Sequence, residues 1–190
     1  MSTHVQTPLQ RHRFTVADFH RLGEIGILNE DERLELINGE IFDMPPIGSP
    51  HGGRVNQLNR LLTKAVDESA IVSVQNPVIL DDHSEPEPDL ALLRPRADFY
   101  TDSHPRVPDV LLLIEVADST LQTDRDIKVP LYARHGIPEV WIVAIPERRI
   151  RRFAHPEQGV YQMQETLDLR QPTPLPGLPD CSVELAALFH

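Results

Sequence analysis

The sequence predicts an α/β fold, an α+β arrangement in which a mixed β-sheet is flanked by helices. The prediction rests on two short apolar stretches rich in β-branched residues, Val110–Val116 and Val140–Ile145. Such stretches are typical of strands buried on both faces of a sheet. Between them, residues 124–135 have apolar side chains at helical spacing, and Gly136 suits a left-handed helix cap. The pattern indicates a parallel strand pair joined by a right-handed crossover helix.

Pro130 lies inside this helical pattern. Proline has no backbone N–H, and its ring crowds the carbonyl group one turn earlier. We therefore expect the helix either to begin near Val129 or to be kinked there.

Length and composition set the wider frame. At 190 residues the chain can bury a core without disulfides, and we expect one domain over 13–190 after a polar N-terminal tail, 1–12. Cys181 is the only cysteine, which excludes an intrachain disulfide and favours a reducing, cytoplasmic setting. No apolar stretch approaches membrane-spanning length, so no membrane partner is expected.

The first part of the chain predicts a helix and a hairpin. Thr15 and Asp18 have capping-box spacing at the start of a helix that ends near Gly23. Arg33–Ile37 and Glu40–Met44 flank Asn38-Gly39, a favoured two-residue hairpin turn. This register pairs Glu35 with Phe42. Glu35 is then either an acid of a functional site or a sheet-edge glutamate that reaches water.

A second helix is predicted after the Pro45–Gly48 loop. Ser49 suits the N-cap and Pro50 the first turn, and the helix runs to about Glu68. His51 lies in the first turn. A lone histidine is usually a capping or packing residue, but here it follows a loop where a ligand could approach the helix N-terminus.

The remaining elements follow from simple patterns. Ile71–Leu80 is predicted as a strand, with a break at Asn76-Pro77, and 81–89 as an acidic turn whose acids are mostly solvated. Leu90–Leu93 is the next strand, and 150–153 with 160–163 form a hairpin. Residues 171–179 are expected to be an extended strap, and 182–189 a short docking helix capped by Ser182.

The formal net charge of −11 opposes a nucleic-acid partner, because an acidic protein repels phosphate. Local basic patches therefore matter more. Arg148, Arg149, Arg151 and Arg152 form one cluster, and a looser set comprises Arg94, Arg96 and Arg106. The first cluster is interpreted either as a phosphate contact or as a solvated hairpin edge protected by charge.

Two acids stand out as candidates for chemistry. Asp89 begins one strand and Glu115 lies near the end of the next, so they converge if those strands are antiparallel neighbours. With the backbone carbonyl of Val116 they would form an oxygen-rich metal site suited to Mg²⁺ or Mn²⁺. Lys128 could orient an attacking water or neutralise charge on a phosphate. An exposed helical ion pair with Asp124 would also explain Lys128.

The ordered motifs resemble the Uma-type family of restriction endonucleases, within the PD-(D/E)XK superfamily. The matching segments are Leu34–Glu40, His51, Glu87–Asp89, Ile114–Val116, Asp126-x-Lys128, Tyr132, Gly136–Trp141 and Leu175–Leu178. The resemblance implies a restriction endonuclease-like core and a Mg²⁺-dependent phosphodiesterase site that uses Asp89 and Glu115 on DNA. Ala117 departs from the superfamily, whose lysine at that place is replaced in Uma-type sequences by the one in the following helix, here Lys128. Ala144 also stands where that family often has an acid.

The leading hypothesis is therefore a Mg²⁺-dependent DNA endonuclease with Asp89, Glu115 and Lys128 as catalytic residues, and with Glu35 and His51 as further candidates. The alternative is a catalytically weak or inactive nuclease-like module that binds or regulates, suggested by the acidic charge and by Ala117. A third possibility is a structural protein in which Glu115 is merely hydrogen-bonded. A homodimer is plausible, because cleavage of two strands needs two sites.

Overall fold

A six-stranded mixed β-sheet forms the centre of the computed structural model, which describes residues 10–29 and 31–189. The helices are α1 Val16–Glu24, α2 Ser49–Val66, α3 Leu121–Thr123 and α4 Val129–Arg134. The strands are β1 Leu34–Ile37, β2 Glu40–Asp43, β3 Ile71–Val74, β4 Leu90–Leu93, β5 Val110–Ala117, β6 Glu139–Ala144, β7 Arg149–Glu157, β8 Val160–Thr166, β9 Thr173–Leu175 and β10 Leu178–Val183.

The sheet has the order β3-β4-β5-β6-β7-β8. β5 and β6 are parallel, and the other four neighbouring pairs are antiparallel. The prediction of a mixed sheet with a parallel pair around a helical crossover is confirmed. The pairs β1–β2 and β9–β10 form separate two-stranded hairpins.

Helices and hairpins cover both faces of the sheet, so that two apolar cores form. One core joins α2 and the C-terminal hairpin to alternate residues of the central strands, among them Leu112 and Ile114. The other joins α4 and Ile37 of β1 to the residues that point the opposite way, among them Leu113 and Ala117. This alternation places Glu115 on the α4 face of the sheet.

The crossover between β5 and β6 contains a π-helical turn, Asp124–Lys128, between α3 and α4. Pro130 lies directly after this turn, in the first turn of α4. Because proline cannot donate the next helical hydrogen bond and its ring displaces the preceding turn, the wider π geometry accommodates it. The predicted disturbance at Val129 is thus confirmed, and it lies beside Lys128.

The predicted first helix and the hairpin after it are confirmed. Thr15 and Asp18 form a capping box at the start of α1. Glu35 pairs with Phe42 in the β1–β2 hairpin. Asn38 and Gly39 have φ angles of 51° and 79°, as the favoured hairpin turn requires.

Three predictions of local structure are wrong. Gly48, rather than Ser49, is the N-cap of α2, and no side chain caps that helix end. Residues 171–179 are not a strap, and Ser182–Phe189 is not a helix: β9 turns at Gly177, with φ 71°, into β10, and turns follow. The side chains expected to point inward are buried, namely Leu185, Leu188 and Phe189.

The N-terminal end of the chain is described only in part. Of the predicted polar tail, residues 1–9 lie outside the described residues. Within the described ranges, no helix has both the length and the apolar character needed to cross a bilayer.

Candidate active site

The candidate acids meet where β4 begins and β5 ends. Leu90 pairs with Ile114 in the antiparallel β4–β5 ladder, so Asp89 and Glu115 lie at adjacent positions. Both point to the α4 face of the sheet, since Ala91 and Leu113 belong to the core on that face. A pocket of about 200 Å³ opens there and is lined by five predicted site residues, namely Glu35, His51, Asp89, Glu115 and Lys128.

Asp89 is buried and held by three donors. The backbone N–H of Val116 donates to its Oδ2 at 2.8 Å, and the His51 Nε2 lies 3.0 Å from the same oxygen. The Gln75 side-chain amide donates to Oδ1 at 3.4 Å. These contacts fix the carboxylate at the rim of the pocket and assign His51, in the first turn of α2, a direct contact with it.

Lys128 joins Glu35 and Glu115 in a buried charge cluster. Its Nζ donates to Glu35 Oε1 at 2.9 Å and to Glu115 Oε2 at 3.3 Å. Glu115 Oε1 also accepts a 2.6 Å hydrogen bond from the Tyr132 hydroxyl. The ammonium therefore reaches the acid of β5 from the crossover helix.

This cluster corrects two alternatives. Glu35 is 1% exposed, so it is not a sheet-edge glutamate that reaches water. Lys128 is 2% exposed and contacts Glu35 and Glu115, so it is not part of a surface ion pair. Asp124 is itself buried and accepts from the Thr120 hydroxyl at 2.7 Å.

The backbone of Val116 faces Asp89 in the pocket. Its N–H points away from β6 toward Asp89, whereas the carbonyl of Ala117 points the other way and accepts from Ile145 at 2.9 Å. Because the N–H and C=O of one strand residue point to the same side, the Val116 carbonyl is directed toward Asp89. The chain thus directs a third oxygen toward the site.

Burial and crowding shift the ionisation of the cluster. Burial raises the pKa of Glu115 well above its usual value, and the neighbouring carboxylates add to this, whereas Lys128 opposes it. Burial also raises the pKa of Asp124. For Lys128, burial works against the ammonium, but Glu115, Glu35 and Asp124 outweigh it and raise its pKa above the usual range. Lys128 is therefore a stable cation, not a neutral amine.

The donor set fits a divalent cation. Four buried carboxyl groups, of Glu35, Asp89, Glu115 and Asp124, line one pocket with the buried ammonium of Lys128, which contacts Glu35 and Glu115. Glu35 Oε2 is buried without a hydrogen-bond partner among the described residues, as is the Nδ1 of His51. A surplus of hard oxygen ligands with an unsatisfied carboxylate oxygen suits Mg²⁺ or Mn²⁺.

Sequence reasoning missed three contributors. Tyr132 belongs to the apolar helical pattern and to the family motif but has no predicted role, although its place one turn after Lys128 on the same helix face could have indicated the contact with Glu115. Asp124 enters the sequence prediction only in the alternative of an exposed ion pair with Lys128, and its burial has no clear sequence signal. Gln75 lies just after β3 with φ 51° and was not singled out.

Comparisons with known proteins identify the family and agree with the fold. The model of the Uma2 family, described as "putative restriction endonuclease", matches residues 16–187. A crystal structure from Anabaena variabilis, described as "a putative nuclease belonging to DUF820", superposes with a TM-score of 0.70 at 17% identity, covering 93% of this chain and 97% of that one. No curated protein matches. At this identity the structural likeness establishes the fold.

Proposed function

The chain belongs to the Uma2 family, and on that premise we propose that it is a Mg²⁺- or Mn²⁺-dependent DNA endonuclease. The observation that supports this most is the cluster itself: Asp89 and Glu115 share one pocket, and the ammonium of Lys128 lies 3.3 Å from Glu115. Carboxylates and a cation in one pocket are the groups that metal-assisted phosphodiester hydrolysis needs.

In this proposal Asp89, Glu115 and the Val116 carbonyl would hold the metal ion. When bound, such an ion polarises the phosphodiester and lowers the pKa of an attacking water. Val116 N–H and His51 orient Asp89 through the hydrogen bonds at 2.8 and 3.0 Å. Glu35, whose Oε2 has no partner among the described residues, orients Lys128 and offers a further oxygen to the pocket.

Lys128 takes the place of the lysine that the superfamily carries at the position of Ala117. A lysine on a strand reaches its acid from two residues away, whereas Lys128 reaches Glu115 from the π turn of the crossover. Its ammonium would neutralise charge that develops on the phosphate, and its position suits the orientation of a water molecule. The alternative of an inactive module was based partly on Ala117, and this contact weakens that argument.

The acidic net charge shapes how DNA would be held. Two arginines of the 148–152 cluster are engaged in ion pairs, since Arg151 pairs with Glu147 and Arg152 with Glu139. Arg149, Arg151 and Arg152 lie on β7, which is paired with β6 on one side and with β8 on the other, so the interpretation of that cluster as a hairpin edge protected by charge is wrong. Arg33 is the one arginine among the residues that line the pocket in the described part of the chain. We therefore expect DNA to bind weakly until a divalent ion neutralises the carboxylates.

The test is cleavage of plasmid DNA by the purified protein with Mg²⁺ or Mn²⁺. Asp89→Asn and Glu115→Gln should each abolish nicking while circular dichroism remains unchanged. Glu139→Gln is the matched control, because Glu139 is equally buried but contacts Trp141 and Arg152 outside the pocket. If Asp89→Asn and Glu115→Gln cleave as fast as the control, the endonuclease assignment is wrong.

The same preparation separates endonuclease from binding module. A binding module would bind DNA or metal but would cleave no nucleic acid with any divalent ion.

Light scattering in the cleavage buffer tests the proposed homodimer. A homodimer should cut both strands without accumulation of nicked circles.

A further inference from the structure

A second group of metal-type ligands lies apart from the candidate active site. His20, Glu85 and His104 each offer one ligand atom, and these atoms all lie within 4.8 Å of one another. None of the three lines the pocket that contains Asp89 and Glu115. From this geometry we infer a second metal site that binds a zinc-class divalent ion through two imidazoles and one carboxylate.

The carboxylate is already in place. The side chain of Glu85 is 3% exposed, and both of its oxygens lie 2.9 Å from the Nε2 of His20. Its backbone is paired with Leu36 of β1 in both directions, at 2.8 and 3.4 Å. Because the fold already holds this carboxylate in one place, binding a metal ion costs little further side-chain entropy.

The two histidines approach from separate segments. His20 is in α1, and His104 is in the loop after β4, with their rings 6.1 Å apart between centroids. The backbone on both sides of His104 is anchored, because Arg96 donates to the Ser103 carbonyl and Ile79 to the Pro105 carbonyl, both at 2.9 Å. His104 makes no hydrogen bond to any residue in the described ranges, so its imidazole is available.

The donor chemistry selects the kind of metal ion. Two imidazole nitrogens with one carboxylate and an open position suit zinc and its neighbours, whereas Mg²⁺ prefers oxygen ligands. Tetrahedral ligands at zinc bond lengths stand about 3.3 Å apart, so His104, which is exposed, has to close whatever separation exceeds that distance. An exposed side chain can make this movement without disturbing the core.

A metal ion bound at this site would join three segments that otherwise have few contacts: α1, the segment that contains Glu85 and the loop after β4. α1 has no buried residue, and among its backbone contacts Val16 donates to the carbonyl of Asp82 at 2.8 Å. Glu85 lies four residues before Asp89 on the same segment. A metal ion bound to His20, Glu85 and His104 therefore ties α1 and the loop after β4 to the segment that carries an acid of the candidate active site.

The test compares His104→Ala with His12→Ala. His104→Ala removes one ligand and leaves the pair of His20 and Glu85 intact, while His12 is an exposed histidine outside the group. Titrations with Zn²⁺ are made in excess Mg²⁺ and followed by calorimetry and thermal unfolding. Co²⁺ is the spectroscopic probe, since a tetrahedral site with imidazole ligands gives visible absorption bands.

We expect the unaltered chain and His12→Ala to show a Zn²⁺-dependent rise in unfolding temperature and the Co²⁺ bands. His104→Ala should keep the metal-free unfolding temperature but lose both signals, with affinity reduced by more than the roughly 10- to 100-fold that loss of a supporting group causes. Any zinc that binds instead in the pocket of Asp89 and Glu115 would bind with the same affinity in His104→Ala and in His12→Ala. Equal affinity in His104→Ala and His12→Ala, or no zinc binding by the unaltered chain, overturns the inference.

Discussion

Replacing Lys128 with methionine should destabilise the metal-free protein severely. The ammonium is 2% exposed and donates to Glu35 at 2.9 Å and to Glu115 at 3.3 Å. Methionine fills a similar volume but leaves two buried carboxyl groups without their cation. Removal of one partner from a buried ion pair costs about 3 to 5 kcal/mol, so we expect Lys128→Met to lose that much free energy of unfolding.

Urea unfolding in the presence of a chelator measures this loss. Lys64→Met is the matched control, because Lys64 is exposed in the last turn of α2 and should change stability by no more than about 1 kcal/mol. The deficit of Lys128→Met should shrink as pH falls, since protonation relieves the uncompensated acids. Adding Glu35→Gln and Glu115→Gln should restore most of the stability. If Lys128→Met is as stable as Lys64→Met, the buried cluster does not exist as described.

Three further predictions concern pH, the α1 cap and the β1–β2 turn. Burial raises the pKa of Glu115, so the folded metal-free protein keeps a proton that the unfolded chain releases. The free energy of unfolding should therefore fall as pH rises from the ordinary carboxyl range through the raised pKa. Glu115→Gln should flatten this slope in urea titrations. An unchanged slope would contradict the assignment of that proton. Thr15→Ala should lower the free energy of unfolding by about 1 kcal/mol, measured by the urea midpoint, because the Asp18 amide loses its cap; Thr15→Ser should retain stability. Gly39→Ala should cost at least about 1 to 2 kcal/mol, because Gly39 has φ 79° and an added Cβ would lie 2.6 Å from Arg13 Cβ; no loss would mean that the turn relaxes freely.

The sequence predicted those parts of the fold in which local pattern and tertiary structure agree. A glutamate inside the apolar stretch of β5 indicated the site, because a buried acid needs partners. The Asn38-Gly39 turn set the register that places Glu35 opposite Phe42. These two signals do not by themselves place Glu35 and Glu115 in one cluster. Lys128, in the π turn, contacts both acids, and no residue spacing in the sequence indicated these contacts.

The wrong predictions arise where one pattern serves two structures. Leu185, Leu188 and Phe189 have helical spacing, yet a turn after β10 buries them equally well. Glu85 lies in an acidic, proline-rich segment that reads as solvated, but pairing of its backbone with Leu36 of β1 buries it. Such long-range pairing leaves no mark in the local sequence.

In the candidate site the cation, Lys128, lies on a helical turn while Glu35 and Glu115 lie on strands, and this has a consequence for how the architecture can vary. A strand fixes the direction of each side chain through its pleat, so a lysine there has one usable position. A helix that crosses above the same point offers several positions, and one extra residue in a π turn is enough to change which of them reaches the acids. Chains of this kind can therefore exchange the location of the positive charge without any change in the sheet, and alignment of short motifs alone would overlook the exchange.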